Sequence, residues 1–261
     1  MLLRSLIGPY FLIGLCVLML VCLEIGRRIR VSSFIKKNAL PAAKGGSGPV
    51  ETVIFALLGL LIAFTFTGAG TRFEARRQLI TIEANAIGTA YLRIDLLPKE
   101  VQPGIRSLFK QYTIVRANIY KNINDVADTK AKSDTSANLQ KQIWNIAVPA
   151  CKKAEAPGDC IKLMLPALND MFDITTTQLM ARQNHPPTII YIMLIALSLF
   201  SALLVGYDLP RSNRRNLLYM LSYAIIISLV LYLIIDLEVP RLGLITIHQA
   251  DQVLLDLGSS M

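Results

Sequence analysis

The sequence predicts an all-α integral membrane protein with four transmembrane helices and a helical extramembrane bundle. Three observations carry that prediction. First, the 261 residues are 53% apolar and only 17% charged, with a mean hydropathy of +0.48, against about 45–50% apolar and about 25% charged in a typical soluble domain. Second, four uncharged apolar stretches, residues 5–23, 52–71, 188–207 and 217–235, each approach the roughly 20 residues that a helix needs to cross a hydrocarbon core. Third, no segment alternates apolar and polar residues with a period of two, so no sheet is expected. Twelve Pro, fifteen Gly and four Cys are too few for a collagenous, disordered or disulfide-built chain.

The first apolar stretch follows Arg4 but lacks a small-x-small cleavage site and ends in Glu24, Gly26, Arg27 and Arg28. It therefore reads as a retained span and not as a signal peptide. The second stretch has no Pro between Val50 and Leu97, so a single rod of about 70 Å, at 1.5 Å per residue, is expected to run out of the membrane. Ala56, Gly59, Ala63, Thr67 and Gly70 share one face of this rod. Small residues at that spacing suit a close-packed helix seam, and they suit equally a narrow conduit lined by the same helix in an oligomer.

Beyond the second span, Ile80, Ala84, Ile87, Tyr91 and Ile94 continue a helical stripe, and Pro98 and Pro103 mark a turn. From Ile105 the positions Leu108, Tyr112, Val115, Ile119 and Val126 predict a helix of about six turns, antiparallel to the one before it. Further helices are expected over 136–150 and 159–183, with His185, Pro186 and Pro187 interrupting the path into the third span. The chain thus divides into 1–71, with two spans and a basic loop; 72–187, an extramembrane helical domain; 188–240, with two more spans; and 241–261, a tail.

Arg27, Arg28, Arg30, Lys36, Lys37 and Lys44 follow the first span, and Arg211, Arg214 and Arg215 separate the last two. The positive-inside rule makes both connectors cytoplasmic, which places the termini and the 72–187 domain outside the cytoplasm of a bacterial inner membrane. Cys151 and Cys160 bracket a polar turn with Pro157 and Gly158. In an oxidising compartment this pair is expected to form a disulfide, while Cys16 and Cys22, inside the first span, read as apolar packing. Arg72, Glu74, Arg76 and Glu83, at the end of the second span, suit either a charged pore mouth or ordinary helix-surface pairing.

An enzyme is not expected. The two His, His185 and His248, have no nucleophile or carboxylate partner nearby in sequence. The Gly-rich run from Lys44 to Pro49 has its Lys before the glycines, the reverse of a phosphate loop. No cofactor, metal site or nucleic-acid partner is expected. Trp144 alone makes no base-stacking platform, and the basic connectors suit anionic lipid headgroups.

The stretch from Leu57 to Arg77, with Phe64 and Phe66 before a small polar run and then Arg72, Phe73, Glu74, Ala75 and Arg76, resembles the second transmembrane helix of bacterial bestrophins. One aromatic residue fewer precedes the Glu. The four-span pattern, together with the runs from Glu83 to Arg93 and from Asp236 to Gly243, is still more similar to the uncharacterised bestrophin-like family catalogued as DUF4239. The resemblance implies a pentameric ion channel whose constriction is made by three apolar residues one turn apart. Carried over, those positions are Ala56, Leu60 and Phe64, of which Ala56 departs from the bulky pattern. Near the end of the last span, bestrophins have Pro-Phe-Gly where this chain has Pro240, Arg241, Leu242 and Gly243. Bestrophins also keep their helical domain in the cytosol, so the orientation expected here is inverted relative to theirs.

The expected function is a bestrophin-like homo-oligomeric channel, with membrane lipids and small ions as partners. The alternative is a non-conducting inner-membrane scaffold or sensor whose outer helical bundle binds a partner.

Overall fold

The computed structural model describes residues 9–36, 48–119, 126–209, 215–239, 244–245 and 248–261. Among these residues the helices are α1 (Pro9–Lys36), α2 (Pro49–Leu92), a short 3-10 turn (Arg93–Leu96), α3 (Gln102–Asn118), α4 (Val126–Ala150), α5 (Cys160–Gln183), α6 (Thr188–Asp208), α7 (Arg215–Glu238) and α8 (His248–Ser260). No strand occurs among the described residues. Among the described residues, four helices are long and apolar enough to cross a membrane. The protein is an all-α membrane protein. Lys37, Lys44, Arg211, Arg214 and the run from Pro240 to Gly243 lie outside the described residues.

The chain divides into two compact units, the first comprising Met1–Phe73 and His185–Ile245 and the second Glu74–Asn184 and Thr246–Met261. Helix α2 contributes residues to both.

In the first unit, α1 packs on α6 and α7. The α1–α6 approach is set by two glycines. A Cβ added to Gly26 would lie 2.0 Å from the Leu203 carbonyl oxygen, and one added to Gly206 would lie 2.0 Å from that of Leu23. Only hydrogen fits at either position, so the two backbones pack directly, as small residues permit in lipid. One end of this contact is held by Arg30, whose Nη1 donates to the carbonyl oxygens of Tyr207 (3.1 Å) and Asp208 (2.5 Å). A cation here satisfies orphan carbonyls and opposes the negative end of the α6 dipole. Two apolar clusters fill the interior. One joins Leu15, Leu58, Ala69, Tyr191, Leu194 and Leu231, and the other joins Met19, Leu23, Ala202, Met220 and Ala224. The buried Ser198 and Ser201 turn onto their own helix, Ser198 Oγ donating to Leu194 O at 2.8 Å and Ser201 Oγ to Ser198 O at 2.8 Å, so they carry no unmet polar group into the apolar interior.

In the second unit, Ile105, Phe109 and Tyr112 of α3 are fully buried, as are Ile143 of α4 and Met164, Leu168 and Met171 of α5. The sequence expectation for this region needs three revisions. Helix α3 ends at Asn118, not near Val126, consistent with the weak helix propensity of Asn. Helix α4 starts at Val126, ten residues before the expected start at 136, because its first three turns are largely exposed and so show no apolar stripe. The tail contains α8, which packs on α3: Leu254 is buried, and Gly258 lies close to Thr113 and Ile114.

Candidate functional site

Three places hold the residues singled out by the sequence: the apolar part of α2, a buried carboxylate of the first unit and the polar interior of the second unit. On α2 the residues facing the rest of the first unit are Leu58, Leu61, Ile62 and Ala69, with Phe73 packed against the same cluster. The Thr65 hydroxyl, on this side, satisfies itself on the Leu61 carbonyl at 2.7 Å. At about 100° per residue, Ala56, Leu60, Ala63 and Thr67 fall on the opposite side. All four are exposed in the single chain. Leu60 keeps 52% and Phe64 68% of its surface exposed, and a Cβ at Gly59 or Gly70 would meet nothing within 4 Å. Among the described residues, Gly59 and Gly70 therefore pack against no neighbouring helix, and Ala63 and Thr67 are exposed.

The four charges expected to rim a mouth do not form one cluster. Arg72 bonds to Glu238, its Nε lying 2.8 Å from Oε1. The other oxygen of this fully buried carboxylate lies 3.3 Å from His185 Nδ1. Two residues earlier in that turn, Asp236 is equally buried and accepts from the backbone N–H groups of Leu244 (3.0 Å) and Ile245 (2.8 Å). Glu74 stays partly exposed and pairs with Arg77 at 3.3 Å. Arg76 is buried and donates to the carbonyl oxygens of Ala181 and Asn184, both at 3.1 Å. Its guanidinium thereby satisfies carbonyls at the end of α5.

Glu83 is the clearest departure from a mouth. It is fully buried and bonds to Arg116 of α3. Gln178 of α5 completes the arrangement: its Oε1 accepts from Arg116 Nη2 at 2.7 Å, and its Nε2 donates to Glu83 Oε2 at 2.8 Å and to Leu79 O at 3.1 Å. Charge, countercharge and amide thus satisfy one another out of water, which a buried ion pair requires to be tolerated. The neighbouring Tyr112 donates toward Met171 O at 3.5 Å and accepts from Gln140 Nε2 at 3.2 Å. Burial pushes its hydroxyl up to about 12, the Arg116 charge pulling the other way, so it remains a neutral phenol.

Sequence reasoning did not find Arg116 or Gln178. A cation and an amide on the buried faces of two amphipathic helices were the available signal. Cys151 and Cys160 are joined by a disulfide with a Cα–Cα distance of 5.3 Å, and Cys16 and Cys22 are free. No group of His, Cys, Asp and Glu able to hold a metal occurs among the described residues.

Four apolar helices and a helical body with a buried ionic triad define a four-span, all-α membrane protein. The chain belongs to the bestrophin-like family, whose domain model matches residues 13–251. It is similar in fold to a crystal structure of a bacterial bestrophin homolog from Klebsiella pneumoniae carrying a Tyr-to-Ala mutation, with a TM-score of 0.70, 13% identity, and coverage of 95% of this chain and 99% of that one. A Trp-to-Ala variant of the Klebsiella homolog gives a TM-score of 0.66 at 13% identity, covering 97% and 99%. A third structure, described as a membrane protein with a Pro-to-Ala change, gives 0.58 at 14% identity, covering 93% and 98%. No curated protein matches the chain.

The triad predicts an asymmetric response to mutation. Arg116→Met strands the Glu83 carboxylate and is expected to cost about 3–5 kcal/mol, while Glu83→Leu combined with Arg116→Met recovers most of that loss. Denaturant unfolding followed by fluorescence of Trp144, which packs on Phe172 in the same unit, measures both. A double variant no more stable than the single one contradicts the pairing.

Proposed function

We propose that the protein is a passive ion channel, formed by several copies that bring α2 together around a shared axis, with Ala56, Leu60 and Phe64 as its constriction. The observation that carries this reading is the two-sidedness of α2: one face is packed inside the subunit, and the opposite face, with Leu60 and Phe64, is bare. Rings of Leu and Phe around a narrow axis close a pore by dewetting, since an apolar throat holds water poorly. Gly59, Ala63, Thr67 and Gly70 then let neighbouring copies of α2 approach closely. Family membership supports the same reading, and five copies is the number that the bestrophin resemblance implies. Of the mouth charges, Glu74 with its partner Arg77 remains available to meet ions, while Arg72, Arg76 and Glu83 hold the structure together.

We also propose a bacterial inner-membrane location with the helical body outside the cytoplasm. Arg27, Arg28 and Arg30 at the end of α1 support this orientation through the positive-inside rule, and the Cys151–Cys160 disulfide suits an oxidising compartment.

Planar-bilayer recording of purified protein tests conduction. Ohmic current is expected from the wild type, with conductance several-fold larger in Phe64→Ala. Silence in both proteins, together with a monomeric or dimeric state in detergent, replaces the channel with a scaffold or sensor whose helical body binds a partner. Sidedness is read separately, by treating intact spheroplasts with a membrane-impermeant thiol reagent before and after reduction. Labelling of Cys151 and Cys160 on reduction alone is expected, and labelling that also needs membrane rupture reverses the orientation.

A further inference from the structure

Within the second unit, α2 and α5 enclose a cleft of about 440 Å³ that neither the channel reading nor the buried triad uses. Three kinds of surface meet in its lining. Asp170 and Asp173 of α5 supply charge, Asn85, Thr89 and Thr177 supply neutral polar groups, and Ala167 and Ile174 supply apolar surface. We propose that this cleft binds a short aliphatic diamine, its two ammonium ends on Asp170 and Asp173 and its methylene chain on the apolar surface. The inference does not rest on conduction.

Charge comes first. No lysine, arginine or histidine lines the cleft, and among the described residues neither carboxylate has an ion-pair partner. Other acids of the same unit are used differently: Glu74, Glu83, Asp95 and Asp159 are all ion-paired. Three residues apart on one helix, Asp170 and Asp173 are surface neighbours, and like charges so placed repel until a cation joins them. Two such charges suit a ligand with two positive ends.

Two carboxylates alone are an ordinary solvated helix face. The recess beside them is what points to an organic cation. Ala167 and Ile174 are only 2% and 8% exposed, so they form an apolar floor. Methylene groups lie on such a surface as lysine stems do, with the charged head kept at the polar rim. An ammonium has three donors and no acceptor, and the side-chain oxygens of Asn85, Thr89 and Thr177 accept the hydrogens that the carboxylates leave. Size agrees: the volume lies in the range of small-molecule sites, about 300–1,000 Å³, with room for roughly fifteen water-sized groups at about 30 Å³ each. An alkali ion leaves most of that space empty and has no use for the floor, whereas a diamine occupies it together with the waters that bridge it to the rim.

Isothermal titration of the full-length protein in non-ionic detergent, at low ionic strength because exposed pairs are screened by salt, tests the site. Putrescine is the probe, butylamine carries one ammonium, 1,4-butanediol none, and potassium chloride is the inorganic control. Saturable putrescine binding is expected, severalfold tighter than butylamine as one exposed ion pair warrants, with no saturation by butanediol or potassium. Asp170 and Asp173 are exposed, so Asp170→Asn is expected to fold normally and to weaken putrescine severalfold. Asp170→Asn with Asp173→Asn is expected to abolish saturable binding, and Glu100→Gln, exposed and outside the cleft, to leave it unchanged. Absence of saturation by about 10 mM putrescine overturns the proposal. Butylamine or butanediol binding as tightly as putrescine, or an affinity indifferent to the double substitution, overturns it as well.

Discussion

Everything in this protein depends on how the two faces of α2 are covered. A helix that crosses lipid satisfies its backbone internally, so what distinguishes one face from another is only what its side chains touch. Leu58, Leu61, Ile62 and Ala69 touch their own subunit. Ala56, Leu60, Ala63 and Thr67 are exposed among the described residues. Lipid is as apolar as Leu, so burying Leu60 and Phe64 against a second copy gains little from hydrophobicity alone. Association in a bilayer relies instead on close packing of small residues, and these are what this face supplies at Gly59, Ala63, Thr67 and Gly70.

Farther along, α2 changes character without a break. No Pro or 3-10 segment interrupts it before Arg93, and its polar commitments shift from self-satisfied hydroxyls, as at Thr65 and Thr71, to buried ions. Glu83 is fixed by Arg116 and Gln178, residues 33 and 95 positions away in sequence. An isolated carboxylate at that depth costs several kcal/mol, and a satisfied one specifies a single register for α2 against α3 and α5. In the first unit Glu238 has the matching task, holding Arg72 and His185. Acidic residues are thus used as interior anchors on α2 and α7, and their burial removes them from the list of groups that meet ions.

The spans, the long helix and the two-cysteine turn were legible in the sequence because each is a local signal: an uncharged run of sufficient length, the absence of Pro from Val50 to Leu97, a nine-residue separation. The first three turns of α4 were not, because a helix with few buried positions has no apolar stripe to read. Helix α8 was missed for a related reason: among its described side chains only Leu254 and Gly258 are buried, too short a pattern to separate from a polar tail. That Glu83 and Arg76 are buried was illegible for a different reason. Sequence places them among exposed neighbours such as Arg77 and Gln78, and only the packing of α3 and α5 decides that every third or fourth residue turns inward. Pairings across 33 to 95 residues leave no local trace.

Cross-linking of α2 to itself tests the account most directly. With Cys16 and Cys22 replaced by Ala, single cysteines at Ala63 or Thr67 are expected to join copies of the chain covalently when membranes are mildly oxidised, while a cysteine at Leu58, buried within the subunit, does not. Monomers persisting at positions 63 and 67, with cross-links appearing instead at lipid-exposed positions of α1 such as Val17, contradict the assignment of this face to a shared axis.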